Sequence, residues 1–117
     1  MLFRSDLPIG YAVYHMTRKV DDGPTDAVFF YVNHEYEKYA QMSSEETLGR
    51  TVRELYPFMP EDWYENLTKS SFSDEQTEGE FVFEVTGKRY KYTARQIIYA
   101  GYCAVTYQEL DQGLAVK

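Results

Sequence analysis

A single cysteine, Cys103, occurs in 117 residues, so the chain can close no disulfide of its own and can build no zinc site on sulfur. Histidine is almost as scarce. His15 and His34 form no His-x₃-His pair, and a transition metal is left without a plausible ligand set. No apolar run approaches the roughly 20 residues that a bilayer-spanning helix needs. The opening Met1-Leu2-Phe3-Arg4-Ser5-Asp6 is too short and too polar for a signal peptide. These absences point to a reducing, cytoplasmic setting and to no membrane contact by this segment. Positive charge is also in deficit, with 12 Lys and Arg against 19 Asp and Glu and a net charge of −7. The basic residues are scattered among acids, which disfavours a nucleic-acid partner or an anionic membrane surface. No nucleophile elbow, phosphate-cradling glycine loop or nucleotide fingerprint occurs, and the expectation is a protein that binds rather than catalyses.

What the chain has in abundance is aromatic side chains. Hydrophobic residues make up 44% and aromatic residues 17%, including 12 Tyr and 7 Phe, enough for one hydrophobic core. The length suits one domain over residues 1–117 and leaves little room for a second. Gly10–Met16 and Ala27–Val32 read as strands, joined across the turn cluster Asp21-Asp22-Gly23-Pro24. Asn33 stands at an N-cap, and Tyr36, Tyr39 and Ala40 give the helix that follows one apolar face. Ser43 with Glu46, and Thr51 with Glu54, have the spacing of capping boxes; Gly49 and Pro57 end these short turns. Pro60 is expected at the first position of the clearest helix, with Glu61 and Asp62 next, and Tyr64, Leu67 and Ser71 on one face beside Trp63.

The remainder alternates with a period of two. Phe81, Phe83 and Val85 share one face, and Thr86-Gly87-Lys88 reads as a turn. Tyr90, Tyr92 and Ala94 then point inward while Arg89, Lys91, Thr93 and Arg95 point outward. Tyr99–Gly101 turns the chain into a last strand at Tyr102–Tyr107. Two strands, a block of helices and three strands predict an α+β fold: an antiparallel sheet with its helices on one face.

That order, carried by particular residues, resembles the PAS family of sensor domains over about residues 6–110. The carriers are Leu7-Pro8-Ile9-Gly10, Tyr31-Val32-Asn33, Ser44 through Arg50, Leu55-Tyr56-Pro57, Gly79 through Val85, and Lys88-Arg89-Tyr90. The resemblance implies a five-stranded antiparallel sheet in the order 2-1-5-4-3, with helices roofing a pocket over one face. Two departures stand out. Gln41-Met42 occupies the place where many members have glycine, and Gln108-Glu109-Leu110-Asp111 replaces an Asp-Ile-Thr-like ending, with Glu109 nearest the acidic position.

The family's cofactor branches leave no signature here. Val52 stands where the flavin photosensors carry their adduct cysteine, and Met59 through Phe72 lacks the histidine that haem sensors use, so the cofactor is open. Candidate pocket residues are Val52, Leu55, Trp63, Phe81, Phe83, Tyr90 and Tyr92, with Asn33 and tyrosine hydroxyls to orient a ligand. His15 and His34 are expected to be ordinary strand and first-turn residues, and Cys103 an inert buried thiol. The resemblance implies a sensory module of a signal-transduction protein, such as a two-component or diguanylate cyclase pathway. Such a module binds a small ligand, forms a homodimer through the outer sheet face or the terminal segments, or both, and feeds an output domain such as a histidine kinase or diguanylate cyclase that these residues do not include. Two alternatives remain at this stage: a pocketless protein–protein interaction module, and a small isomerase-like enzyme pairing Glu84 with Tyr92.

Overall fold

The local signals for helix and strand are realised with small shifts of boundary. A computed structural model describes residues 9–17, 25–73, 75–97 and 100–110. Asp21 through Pro24, Leu7-Pro8, Tyr99 and Asp111, which figured in the sequence reading, lie outside them. The element order is β1 (Ile9–Thr17), β2 (Asp26–Val32), α1 (His34–Ala40), α2 (Ser44–Thr47), α3 (Val52–Leu55), α4 (Glu61–Ser71), β3 (Thr77–Phe83), β4 (Lys88–Gln96) and β5 (Tyr102–Glu109). All pairings are antiparallel and the sheet order is β2-β1-β5-β4-β3, as expected.

The first and last strands of the chain therefore lie side by side at the centre. Ala12, Tyr14 and Met16 of β1 face the core with Cys103, Val105 and Tyr107 of β5, and α1, α3 and α4 lay their buried residues on the same face. Both capping boxes form, Ser43 with Glu46 and Thr51 with Glu54. Pro60 differs from its expected place: it is the N-cap of α4 and Glu61 is the first helical residue, which suits a residue with no N–H to donate. Val85 differs too. The Gly87 and Thr86 amides both donate to the Phe83 carbonyl, so β3 ends at Phe83 and Val85 falls exposed in the turn.

Asn33 fastens the helical block to the sheet. Its Oδ1 accepts from the Tyr36 amide at 2.9 Å and from the Tyr11 amide at 3.0 Å, while its Nδ2 donates to the Ile9 carbonyl at 3.2 Å. One side chain thus caps α1 and ties it to β1. Gln41 closes α1 in the left-handed region, with φ of 59°. The backbone keeps this conformation without glycine, the residue that adopts it most easily.

Two glycines make room for rings. A Cβ on Gly79 would come within 2.8 Å of the Tyr92 hydroxyl, and one on Gly10 within 2.9 Å of the Tyr39 ring. The four helices carry eight acids, Glu35, Glu37, Glu45, Glu46, Glu54, Glu61, Asp62 and Glu65, against Lys38, Arg53 and Lys69, whereas on the outer face of the sheet Arg89 and Lys91 pair with Glu80 and Glu78.

Gln41→Gly should raise stability by about 0.5–1 kcal/mol, since glycine adopts positive φ without a Cβ clash. Asn33→Ala should lower it by about 2–3 kcal/mol, because a cap is lost and two β1 backbone groups lose their partner. Urea unfolding of both variants checks the two signs together.

Candidate functional site

Between the sheet and the helices lies a small aromatic cavity lined by Tyr14, Tyr36, Tyr39, Val52, Tyr56, Met59, Trp63, Phe81, Phe83, Tyr90 and Tyr107. Every element of the fold except α2 and β2 contributes. The room inside is about 20 Å³, enough for roughly one water molecule. The rings interlock edge-on: Trp63 stands perpendicular to Tyr14 at 5.3 Å, and Phe81 meets Tyr107 at 5.9 Å and 79°. Such edge-to-face contacts suit the ring quadrupoles and fix the cavity shape.

The polar atoms in this cavity are unevenly served. The Tyr14 and Tyr107 hydroxyls bond to each other at 2.7 Å, tying the two central strands, and Tyr36 joins them through Tyr14. Burial, reinforced by the neighbouring phenols, pushes Tyr14 and Tyr36 well above the usual tyrosine range. Burial also raises Tyr107 and Tyr39, and lifts Tyr56 to about 12. All therefore stay neutral and serve as hydrogen-bonding groups, not as bases. Tyr56 Oη is buried with no hydrogen-bond partner, and Trp63 Nε1 is buried with only a weak interaction with the Tyr107 hydroxyl. A poorly served donor pair of this kind is what a ligand oxygen would satisfy. No charged residue lines the cavity.

The roof is held from outside by Arg53. Its guanidinium grips Glu61 at 2.9 and 3.2 Å, donates to the Thr25 carbonyl at 2.8 Å, and lies 3.9 Å above the Tyr64 ring. The clamp joins α3, α4 and the approach to β2, so it bears on whether Tyr56 and Met59 can move outward.

Of the residues expected in a pocket, Val52, Trp63, Phe81, Phe83 and Tyr90 line the cavity. Asn33, Leu55 and Tyr92 do not. Asn33 uses both acceptor sites of Oδ1 and one Nδ2 hydrogen in the backbone staple, Leu55 packs on the outside of the core, and Tyr92 accepts from Asn66 Nδ2 at 2.8 Å. Tyr14, Tyr36, Tyr39, Tyr56, Met59 and Tyr107 line it without having been anticipated. Tyr14 lies in phase with Ala12 and Met16, and Tyr36 and Tyr39 share the apolar face of α1, so their direction was readable although their meeting point was not.

The Glu84–Tyr92 pair suggested for an isomerase does not form: Glu84 is exposed beyond the end of β3, and no described Asp or Glu is buried. Among the described residues no cluster of His, Cys, Asp or Glu could hold a metal ion, and no helix is long and apolar enough to cross a membrane. His34 is an exposed first-turn residue beside Glu37, and His15 stacks on Tyr102 at 4.5 Å. No family model matches this chain, and no curated protein matches it.

Burial pushes the Cys103 thiol up to about 11 from its ordinary 9. In the native protein at pH 8 a disulfide reagent should leave it untouched, and the one thiol should titrate only after denaturation. The same burial sets an alkaline limit. The native state holds phenol and thiol protons that the unfolded chain releases, so this stability is complete below about pH 9 and is lost as pH climbs through the raised values. The urea midpoint should fall steadily between about pH 9 and 12; a flat midpoint there would contradict it.

Proposed function

We propose that this chain is a PAS-type sensory or regulatory domain that binds a small uncharged ligand in the aromatic cavity. What carries the reading is one observation: a sheet of order 2-1-5-4-3, roofed by its helical insert, encloses an unpartnered Tyr56 hydroxyl and a weakly served Trp63 Nε1 beside a tyrosine hydroxyl chain. A ligand oxygen accepting from Tyr56 Oη and Trp63 Nε1 would satisfy the Tyr56 orphan, which costs about 1–3 kcal/mol, and strengthen the bonding of Trp63. Because the room is about 20 Å³, anything larger than a water must displace the Tyr56–Met59 segment. That displacement strains the Arg53 clamp and is a route from occupancy to the surface. The domain acts by binding, in the cytoplasm, and its state biases a histidine kinase, a diguanylate cyclase or a similar output domain, with self-association as a second mode of signalling.

The narrowness of the cavity favours a second reading, a pocketless protein–protein interaction module. Native mass spectrometry separates the two. On the sensory reading the purified chain carries a noncovalent small molecule, and Val52→Phe, which fills the cavity, loses it while retaining a cooperative thermal transition. A chain that is persistently ligand-free in both forms supports the interaction module.

A further inference from the structure

The polar groups of the aromatic cavity have more hydrogens to give than they place among themselves. Tyr14, Tyr36, Tyr56 and Tyr107 each bring a hydroxyl, and Trp63 brings an indole N–H that can only donate. These groups are gathered in one place. Tyr14 and Tyr107 bond at 2.7 Å, Tyr36 bonds to Tyr14 and lies close enough to Tyr56 for the two phenols to act on each other, and Trp63 reaches Tyr107 weakly. The two bonds of the Tyr36–Tyr14–Tyr107 chain use two of its three hydrogens, whichever way each bond runs. One hydrogen of the chain is therefore left over, that of Tyr56 has no acceptor, and that of Trp63 is poorly received.

Acceptors are scarcer. The lining side chains include no carboxylate, amide or imidazole. Their oxygens are all phenolic, with lone pairs partly drawn into the ring, and Met59 adds only a weak thioether acceptor. The room beside these groups is about 20 Å³, which suits one oxygen-sized atom. Around it the surface is apolar and aromatic: Phe58 meets Tyr56 at 6.0 Å and Phe83 at 5.5 Å, and Phe81 meets Phe83 at 6.2 Å.

We infer that the ligand is an uncharged carbonyl compound with no O–H or N–H of its own, such as a small aromatic ketone, with its oxygen in the cavity and its apolar body against Phe58, Phe81 and Phe83. The inference rests on the ligand-binding reading above and gives it a chemical class. A carbonyl oxygen has two lone pairs and no hydrogen, so it can accept from Tyr56 and Trp63 together. An alcohol oxygen accepts as well, but it adds one more hydrogen to a wall whose acceptors are phenols. A carboxylate would enter with a charge that no lining residue compensates.

The test uses the whole chain and three probes of one skeleton: acetophenone isotope-labelled at its carbonyl carbon, the corresponding alcohol, and benzoate. Acetophenone should bind with a Kd of about 1 mM, about tenfold tighter than the alcohol, and benzoate should not displace it. Its carbonyl carbon resonance should move downfield on binding, because donors on the oxygen draw charge from the carbon. Tyr56→Phe should weaken acetophenone about tenfold and reduce that movement, yet melt at a higher temperature, since it deletes an unserved buried hydroxyl. Val52→Phe, which fills the cavity, should abolish binding; ketone binding that survives it would overturn the placement. Equal or tighter binding of the alcohol, or an unmoved carbonyl resonance, would overturn the carbonyl class and leave the cavity as a site for other ligands. No binding of either neutral probe at about 10 mM would overturn the inference together with the reading beneath it.

Discussion

The bond between the Tyr14 and Tyr107 hydroxyls ties together the first and last strands of the chain, side by side at the centre of the sheet and at the floor of the aromatic cavity. Tyrosine is an awkward core residue, because its ring gains from burial while its hydroxyl loses water. The ring's share is the larger: an aromatic side chain hides some 150–250 Å², worth about 4–6 kcal/mol, against about 1–3 kcal/mol for an orphaned hydroxyl. Folding can therefore tolerate a few unsatisfied phenols. It cannot tolerate many, and the Tyr36–Tyr14–Tyr107 chain is the arrangement that lets three of them share partners. The antiparallel contact of β1 with β5 is what brings residues 14 and 107 into range, so the sheet order and the hydroxyl chain depend on each other.

The same accounting is uneven across the core. Some buried polar groups are served: Ser70 shares a hydrogen bond with Thr77 and donates to the Ala94 carbonyl, and Asn66 serves Tyr92, whereas Tyr64 Oη and Thr68 Oγ1 on the same helix are not. At the cavity, Trp63 and Tyr56 bring their polar atoms to a space too small for more than a water. Apolar residues of similar size would have filled that place at lower cost. Tyr56 and Trp63 lie under the α3–α4 connection that Arg53 straps down.

The fold was legible in the sequence to an unusual degree because its signals were local. Capping pairs at fixed spacing, an N-cap asparagine and period-two alternation in β4 each act over a few residues, and each formed as read. The errors arose where a longer-range choice intervened. Val85 continues the alternation of Phe81 and Phe83, yet the turn closes on the Phe83 carbonyl first. Asn33 had the chemistry to orient a ligand, but three backbone groups from two elements were nearer. The cavity lining was half legible for a related reason. Tyr107 and Tyr14 are 93 residues apart, and nothing within either strand marks the other as its partner. Phe30 and Tyr31 could not both be assigned outward either, because the register shift that exposes them is a property of the pairing with β1 and not of β2 alone.

Gly79 and Tyr92 face each other across the β3–β4 ladder, the one giving up a side chain so that the other's ring can lie over its backbone. Neither residue is free to drift by itself. A descendant that acquired any side chain at 79 would have to shed the phenol at 92, and Asn66 would then lose its acceptor and be replaced in its turn. Three positions on three separate elements are thereby joined into one heritable unit, and divergence should be found to move them together or not at all.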